Sequence, residues 1–111
     1  MGSFLLENIF DSKNWDKVDE YYKTILSKPC FRVEKILSSG HTSPKEQEWF
    51  YQEENELVIL VDGTAIIEFE DGKTIKMKKG DVLEIRKNEK HKVTYTSSKP
   101  ECVWVAIFWT D

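Results

Sequence analysis

The chain has 111 residues, with 16 lysines and arginines against 20 aspartates and glutamates, for a formal net charge of −4. That length predicts one compact domain. The acidic balance argues against a nucleic-acid scaffold, which concentrates basic charge, and against electrostatic docking on an anionic membrane. Apolar residues are 40% of the chain and aromatics 13%, ample for a core, so disorder is not expected. The longest apolar run, Val103 to Trp109, is too short to span a bilayer as a helix. Before Glu7 stand only Phe4, Leu5 and Leu6 with no basic flank, so no secretory leader is expected. Two cysteines, Cys30 and Cys102, are too few for a disulfide framework or a zinc cluster, and a reduced, cytoplasmic protein is the default.

In chain order, the first predicted element is a helix. Trp15, Val18, Tyr21, Tyr22, Ile25 and Leu26 recur at steps of three and four, with Ser12 or Asn14 as cap and Pro29 as stop. Residues 1–30 therefore read as a helical preface packed outside a sheet, and 31–111 as an all-β body. From Phe31 the period becomes two. Strands are predicted at Phe31–Leu37, Glu48–Gln52, Leu57–Asp62, Thr64–Glu70, Thr74–Lys78, Asp81–Ile85, His91–Ser97 and Val103–Trp109. Asp71-Gly72 is the strongest hairpin signal. Many short strands near ten-residue spacing mean a β-sandwich or barrel. The lysines of Lys73–Lys79 read as a guarded, solvated strand edge. Val103–Trp109 is too apolar for an exposed edge, so it is either central to a sheet or covered by a second copy, which favours a homodimer.

The residues that bear chemistry cluster around Glu56, a carboxylate opening an apolar strand. Phe50, Gln52, Glu56, Val58 and Leu60 share parity, so an unbulged strand path turns all five to one face. If Val58 and Leu60 face the core, so does the carboxylate, which is costly unless paired, hydrogen-bonded or metal-bound. His41 and His91 are the only histidines. His41 lies in a loop and reads as a surface residue. Parity puts Tyr95 on the side of His91 and Val93, where its hydroxyl could reach a ligand.

These spacings resemble the cupin superfamily. Its first motif has the form G(X)5HXH(X)3–4E(X)6G, and Glu56 followed by Gly63 fits its second half. Its second motif has the form G(X)5PXG(X)2H(X)3N, and Gly80 and His91 fall at its first glycine and its histidine. The likeness is closer to short single-domain bacterial cupins, through Ser43-Pro44, Trp49-Phe50-Tyr51-Gln52, His91–Ser97 and Val103–Ile107. It implies a cupin-type double-stranded β-helix, or jelly-roll barrel, with the helix outside. Phe50 and Gln52 stand where the motif has its two histidines, and Arg86, Asn88, Tyr95 and Pro44 replace its proline, second glycine, asparagine and opening glycine.

What the resemblance implies for the site divides in two. Gln52, Glu56 and His91 form a three-ligand set for a divalent metal (zinc, manganese, iron or nickel) with positions open to water or substrate. Alternatively they line a metal-free pocket in which Glu56 hydrogen-bonds His91 or water. Either way the ligand pocket is bounded by Phe50, Gln52 and Tyr95, with Glu56 and His91 as candidate catalytic groups and no organic cofactor expected. Three classes stay open: a small-molecule enzyme, a non-catalytic metabolite-binding module, and a structural or interaction barrel.

Overall fold

Alternating side chains and turn residues build the body much as their pattern predicts. A computed structural model describes residues 6–111, and among these there are eight strands and no helix. In chain order they are β1 (Tyr21–Lys28), β2 (Phe31–Ser38), β3 (Asn55–Asp62), β4 (Thr64–Phe69), β5 (Thr74–Lys78), β6 (Val82–Ile85), β7 (His91–Thr96) and β8 (Cys102–Trp109). Five form one antiparallel sheet in the order β1-β2-β8-β3-β6, and three form a second in the order β5-β4-β7. The two sheets enclose a core of Val58, Leu60, Ile85, Trp104, Ala106 and Phe108 from the larger, and Ala65, Ile67, Phe69 and Met77 from the smaller. This is the two-sheet jelly roll.

The expected N-terminal helix is absent from the described residues. Residues 6–20 run as turns and bends, and Tyr21–Lys28 is a strand paired along β2. Physically, a helix of a dozen residues is marginal alone, whereas Tyr21, Tyr22, Thr24 and Ile25 are strand formers offered a vacant edge. The pairing runs from Tyr21↔Leu37 to Lys28↔Phe31, so Pro29, read as a helix stop, sits in the two-residue loop of a hairpin. The supposed stripe is split: Trp15 is buried while Val18 is 72% exposed. Trp15 joins Leu37 and Val103 in a second cluster on the outer face of the large sheet.

Lysine anchors that segment. Lys35 is 2% exposed, and its Nζ donates to the carbonyls of Asn8 at 3.0 Å and Asp11 at 2.6 Å. β8 lies between β2 and β3, with Trp104, Ala106 and Phe108 in the core and Val103 under the N-terminal segment. Its apolar character thus follows from a central position, and supplies no argument for a second copy. β5 is the lysine-bearing edge, with Lys76 and Lys78 exposed. Between β3 and β4, Gly63 has φ +95°, and a Cβ there would lie 2.8 Å from Cys102 Sγ and 2.9 Å from its Cα. Both conformation and space require glycine at that turn.

Glu48–Gln52 is not a strand. Only Phe50 forms a bridge, its N–H donating to the His91 carbonyl and its carbonyl accepting from the His91 N–H, each at 2.9 Å. No helix among the described residues is long and apolar enough to cross a membrane.

Candidate functional site

Strand alternation delivers side chains from both sheets to one cavity of about 320 Å³. From the larger sheet come Arg32, Glu34 and Ile36 of β2, Trp104 and Phe108 of β8, and Glu56 and Val58 of β3. From the smaller come Ile67 of β4 and His91 and Val93 of β7; Glu20, Tyr22, Ser43, Phe50 and Gln52 close the rim. Of the residues singled out in the sequence, Phe50, Gln52, Glu56 and His91 therefore line the same cavity.

Tyr95 does not. β4 pairs Ile66 with Tyr95 but the next residue, Ile67, with Val93, leaving Thr94 as a bulge. One extra residue reverses strand parity. Val93 faces the cavity, while Tyr95 is 47% exposed and lies outside the lining. The parity assignment of Tyr95 to the pocket fails for that reason.

His91 is fixed by what precedes it. Its Nδ1 lies 2.8 Å from the carbonyl of Glu89, which can only accept, so the proton sits on Nδ1 and Nε2 carries the lone pair. Phe50 packs edge-on against the ring at 5.6 Å between centroids. Burial holds the imidazole below its usual range despite the Glu89 carbonyl, so it is neutral near pH 7. Asn88, at the motif's second glycine, adopts φ +63°, a left-handed conformation that asparagine tolerates. Its N–H donates to the Gln52 carbonyl at 2.7 Å, tying the rim to the loop that carries His91.

Glu56 stands on β3 opposite Phe108 of β8 and Ile85 of β6. Burial pushes its carboxyl up to about 7, with repulsion from Glu34 adding and the Arg32 charge opposing. Arg32 donates from Nε to Glu34 at 3.1 Å and from Nη1 to Glu54, and its guanidinium lies 4.1 Å over the Phe108 ring. At the other end, Glu20 accepts from Ser38 at 2.5 Å and from Tyr22 at 2.6 Å. Trp104 Nε1–H donates to the same Ser38 hydroxyl at 3.2 Å.

Arg32, Glu34, Glu20 and Tyr22 went unread in the sequence. β2 carries charge on both faces, Arg32 and Glu34 inward and Lys35 outward, which blurs the polar–apolar alternation. Glu20 and Tyr22 were hidden by the helical reading.

The donor set does not fit a resident divalent metal, as the family likeness implies for Gln52, Glu56 and His91. Phe50 offers no donor, Gln52 only an amide, and among the described residues no three His, Cys, Asp or Glu side chains are grouped so as to hold a metal ion.

His41 is no free surface residue. Its Nδ1 accepts the Ser39 N–H at 2.9 Å, and its Nε2–H is shared by the carbonyls of Lys17 and Val18 at 3.1 Å each. It fastens the N-terminal segment just before Glu20 enters the cavity.

A structure from Ralstonia eutropha, provisionally called a mannose-6-phosphate isomerase, is similar with a TM-score of 0.86 and 28% identity, over 96% of this chain and 98% of that one. KdgF from Halomonas sp. has a TM-score of 0.75 at 17% identity, over 100% of this chain and 96% of that one. A cupin superfamily protein from Desulfitobacterium hafniense has 0.71 at 14%, over 86% and 81%. No curated protein matches the sequence. Residues 37–108, well over half the chain, match the family model described as Cupin domain. With the jelly roll and the motif residues Glu56, Gly63, Gly80 and His91 in place, the chain belongs to the cupin family.

Proposed function

We propose that the barrel cavity binds a small organic molecule, and that Glu56 and His91 serve it as a proton-transfer pair without a metal. One observation carries this reading: the two groups, supplied by different sheets, both line a single cavity of about 320 Å³. That volume is at the small end of ligand pockets, and its mixture of aromatic walls with a few polar groups is typical of them.

A carboxyl raised to about 7 gives or takes a proton at neutral pH. The neutral imidazole, its Nδ1–H engaged by Glu89, presents Nε2 as an acceptor. A carboxyl raised by burial and an imidazole lowered by it suit removal of a proton at one atom of a ligand and delivery at another. Isomerisation is the reaction class that this supports, and the provisional name of the Ralstonia relative points the same way. Its phosphorylated substrate does not carry over, because Arg32 is already engaged by Glu34 and Glu54.

The two free thiols, Cys30 and Cys102, suit a reducing cytoplasmic setting. Sedimentation of the purified chain tests the homodimer.

The test is a thermal-shift screen of a broad metabolite library, followed by NMR of each binder in heavy water. A ligand at one hundred times its dissociation constant adds about 2.7 kcal/mol of stability. Wild type should introduce solvent deuterium into that ligand, and Glu56→Gln and His91→Gln should each slow exchange at least about a hundredfold. Silence across the library refutes the cavity as a binding site; binding with no exchange refutes the chemistry alone.

A further inference from the structure

We infer that the molecule held in this cavity carries a positive charge: a small organic ammonium, seated against the aromatic wall with its nitrogen toward Glu34 and Glu56. The inference rests on the reading of the cavity as the binding site, and narrows its ligand.

The cavity's charges lead there. Glu20, Glu34 and Glu56 contribute three carboxyls to the lining, and among the described residues Arg32 is the one lysine or arginine there. Its guanidinium is already held by Glu34 and by Glu54. An incoming carboxylate or phosphate would have to displace both and then face Glu56. Glu20 is served by two neutral hydroxyls, those of Ser38 and Tyr22, which stabilise its charge without cancelling it. Glu56, half-buried where it lines the cavity, has no hydrogen-bond partner and no ion pair among the described residues. An unpartnered carboxyl in such a place is costly. A neutral ligand can hydrogen-bond it, but only a cation offsets the field of its neighbours.

The walls are compatible. Arg32 lying 4.1 Å over Phe108 shows that a cation already rests on an aromatic face of this cavity. Trp104 and Phe50 offer further aromatic surface in the lining, where an ammonium group gains quadrupole attraction. Recognition by carboxylates plus aromatic faces is that of an ammonium with an apolar body.

Three near-isosteres isolate the charge: choline, 3,3-dimethylbutan-1-ol and 3,3-dimethylbutanoate, each titrated calorimetrically into the full chain at pH 6 and pH 8. Choline should bind at least about tenfold tighter than the alcohol, the worth of one modest charge contact. Its affinity should rise up to about tenfold from pH 6 to pH 8, as the Glu56 carboxyl ionises. Glu56→Gln should abolish that pH dependence, and Glu34→Gln should weaken choline while leaving the alcohol unchanged. An alcohol or carboxylate that binds as tightly as choline overturns the cation inference and leaves the cavity reading standing. Silence from all three also overturns it, and only silence across the wider metabolite library removes the cavity reading as well.

Discussion

Glu56 and His91 respond to burial in opposite directions, and their titrations should be separable. Burial raises the Glu56 carboxyl from 4.5 to about 7, so between those values the native chain holds a proton that the unfolded chain has released. Stability must then fall as pH rises through that window, by up to about 3 kcal/mol, and level off above it. His91 is lowered, so the unfolded chain takes up a proton first and stability falls as pH drops below about 6.5, the usual histidine value. The two trends oppose each other in mildly acidic solution. Comparing Glu56→Gln with wild type isolates the carboxyl: the variant should gain on wild type from pH 5 to about pH 7 and hold that gain at pH 8 in urea denaturation. A difference that stays flat across that range would mean the carboxyl is hydrated and its burial unimportant. Position 56 was legible in the sequence because a carboxylate opening Leu57–Val61 is conspicuous. Position 95 was misread because a single bulged residue, Thr94, leaves no mark in a run of strand-forming side chains.

At the scale of elements, the strand boundaries from Leu57 onward were readable from turns whose chemistry is local, above all Asp62-Gly63, Asp71-Gly72 and Lys79-Gly80. The N-terminal third was not, because its structure is decided by partners distant in sequence. Tyr21–Lys28 becomes a strand since β2 offers an unpaired edge, and residues 6–20 lie where Lys35, Trp15 and His41 pin them. None of those three contacts has a periodic signature. Lys35 looks like an ordinary polar residue of a half-exposed strand, yet its ammonium is buried under two backbone carbonyls and lies 3.9 Å from Glu7. Lys35→Met keeps the length of the side chain but leaves the carbonyls of Asn8 and Asp11 without their donor. The expected cost is about 2–3 kcal/mol in urea denaturation, since buried unsatisfied groups are expensive. Trp15 should at the same time become accessible to a fluorescence quencher, because it packs with Leu37 and Val103 under the same segment. Unchanged stability with Trp15 still protected would show that apolar packing alone holds the segment.

For the molecule as a whole, a fold widely suited to metals has here kept the enclosure and changed the donors. Two sheets still converge on one cavity, and Glu56 and His91 still occupy their motif positions, while Phe50 presents a ring edge to His91 where a ligand would stand. That ring and the apolar lining now supply what a metal cannot, a surface against which an organic molecule excludes water. If stability owed anything to a bound divalent ion, its removal would cost RT ln(1 + [L]/Kd), on the order of several kilocalories for a tight site. The metal-free cavity proposed above carries no such term. Protein purified without an affinity tag should therefore contain far less than one equivalent of zinc, manganese, iron or nickel by elemental analysis. Its thermal midpoint should move by less than about one degree when a strong chelator is added. A stoichiometric metal, lost together with several degrees of stability on chelation and absent from both Glu56→Ala and His91→Ala, would restore the metal centre and displace the metal-free acid–base pair.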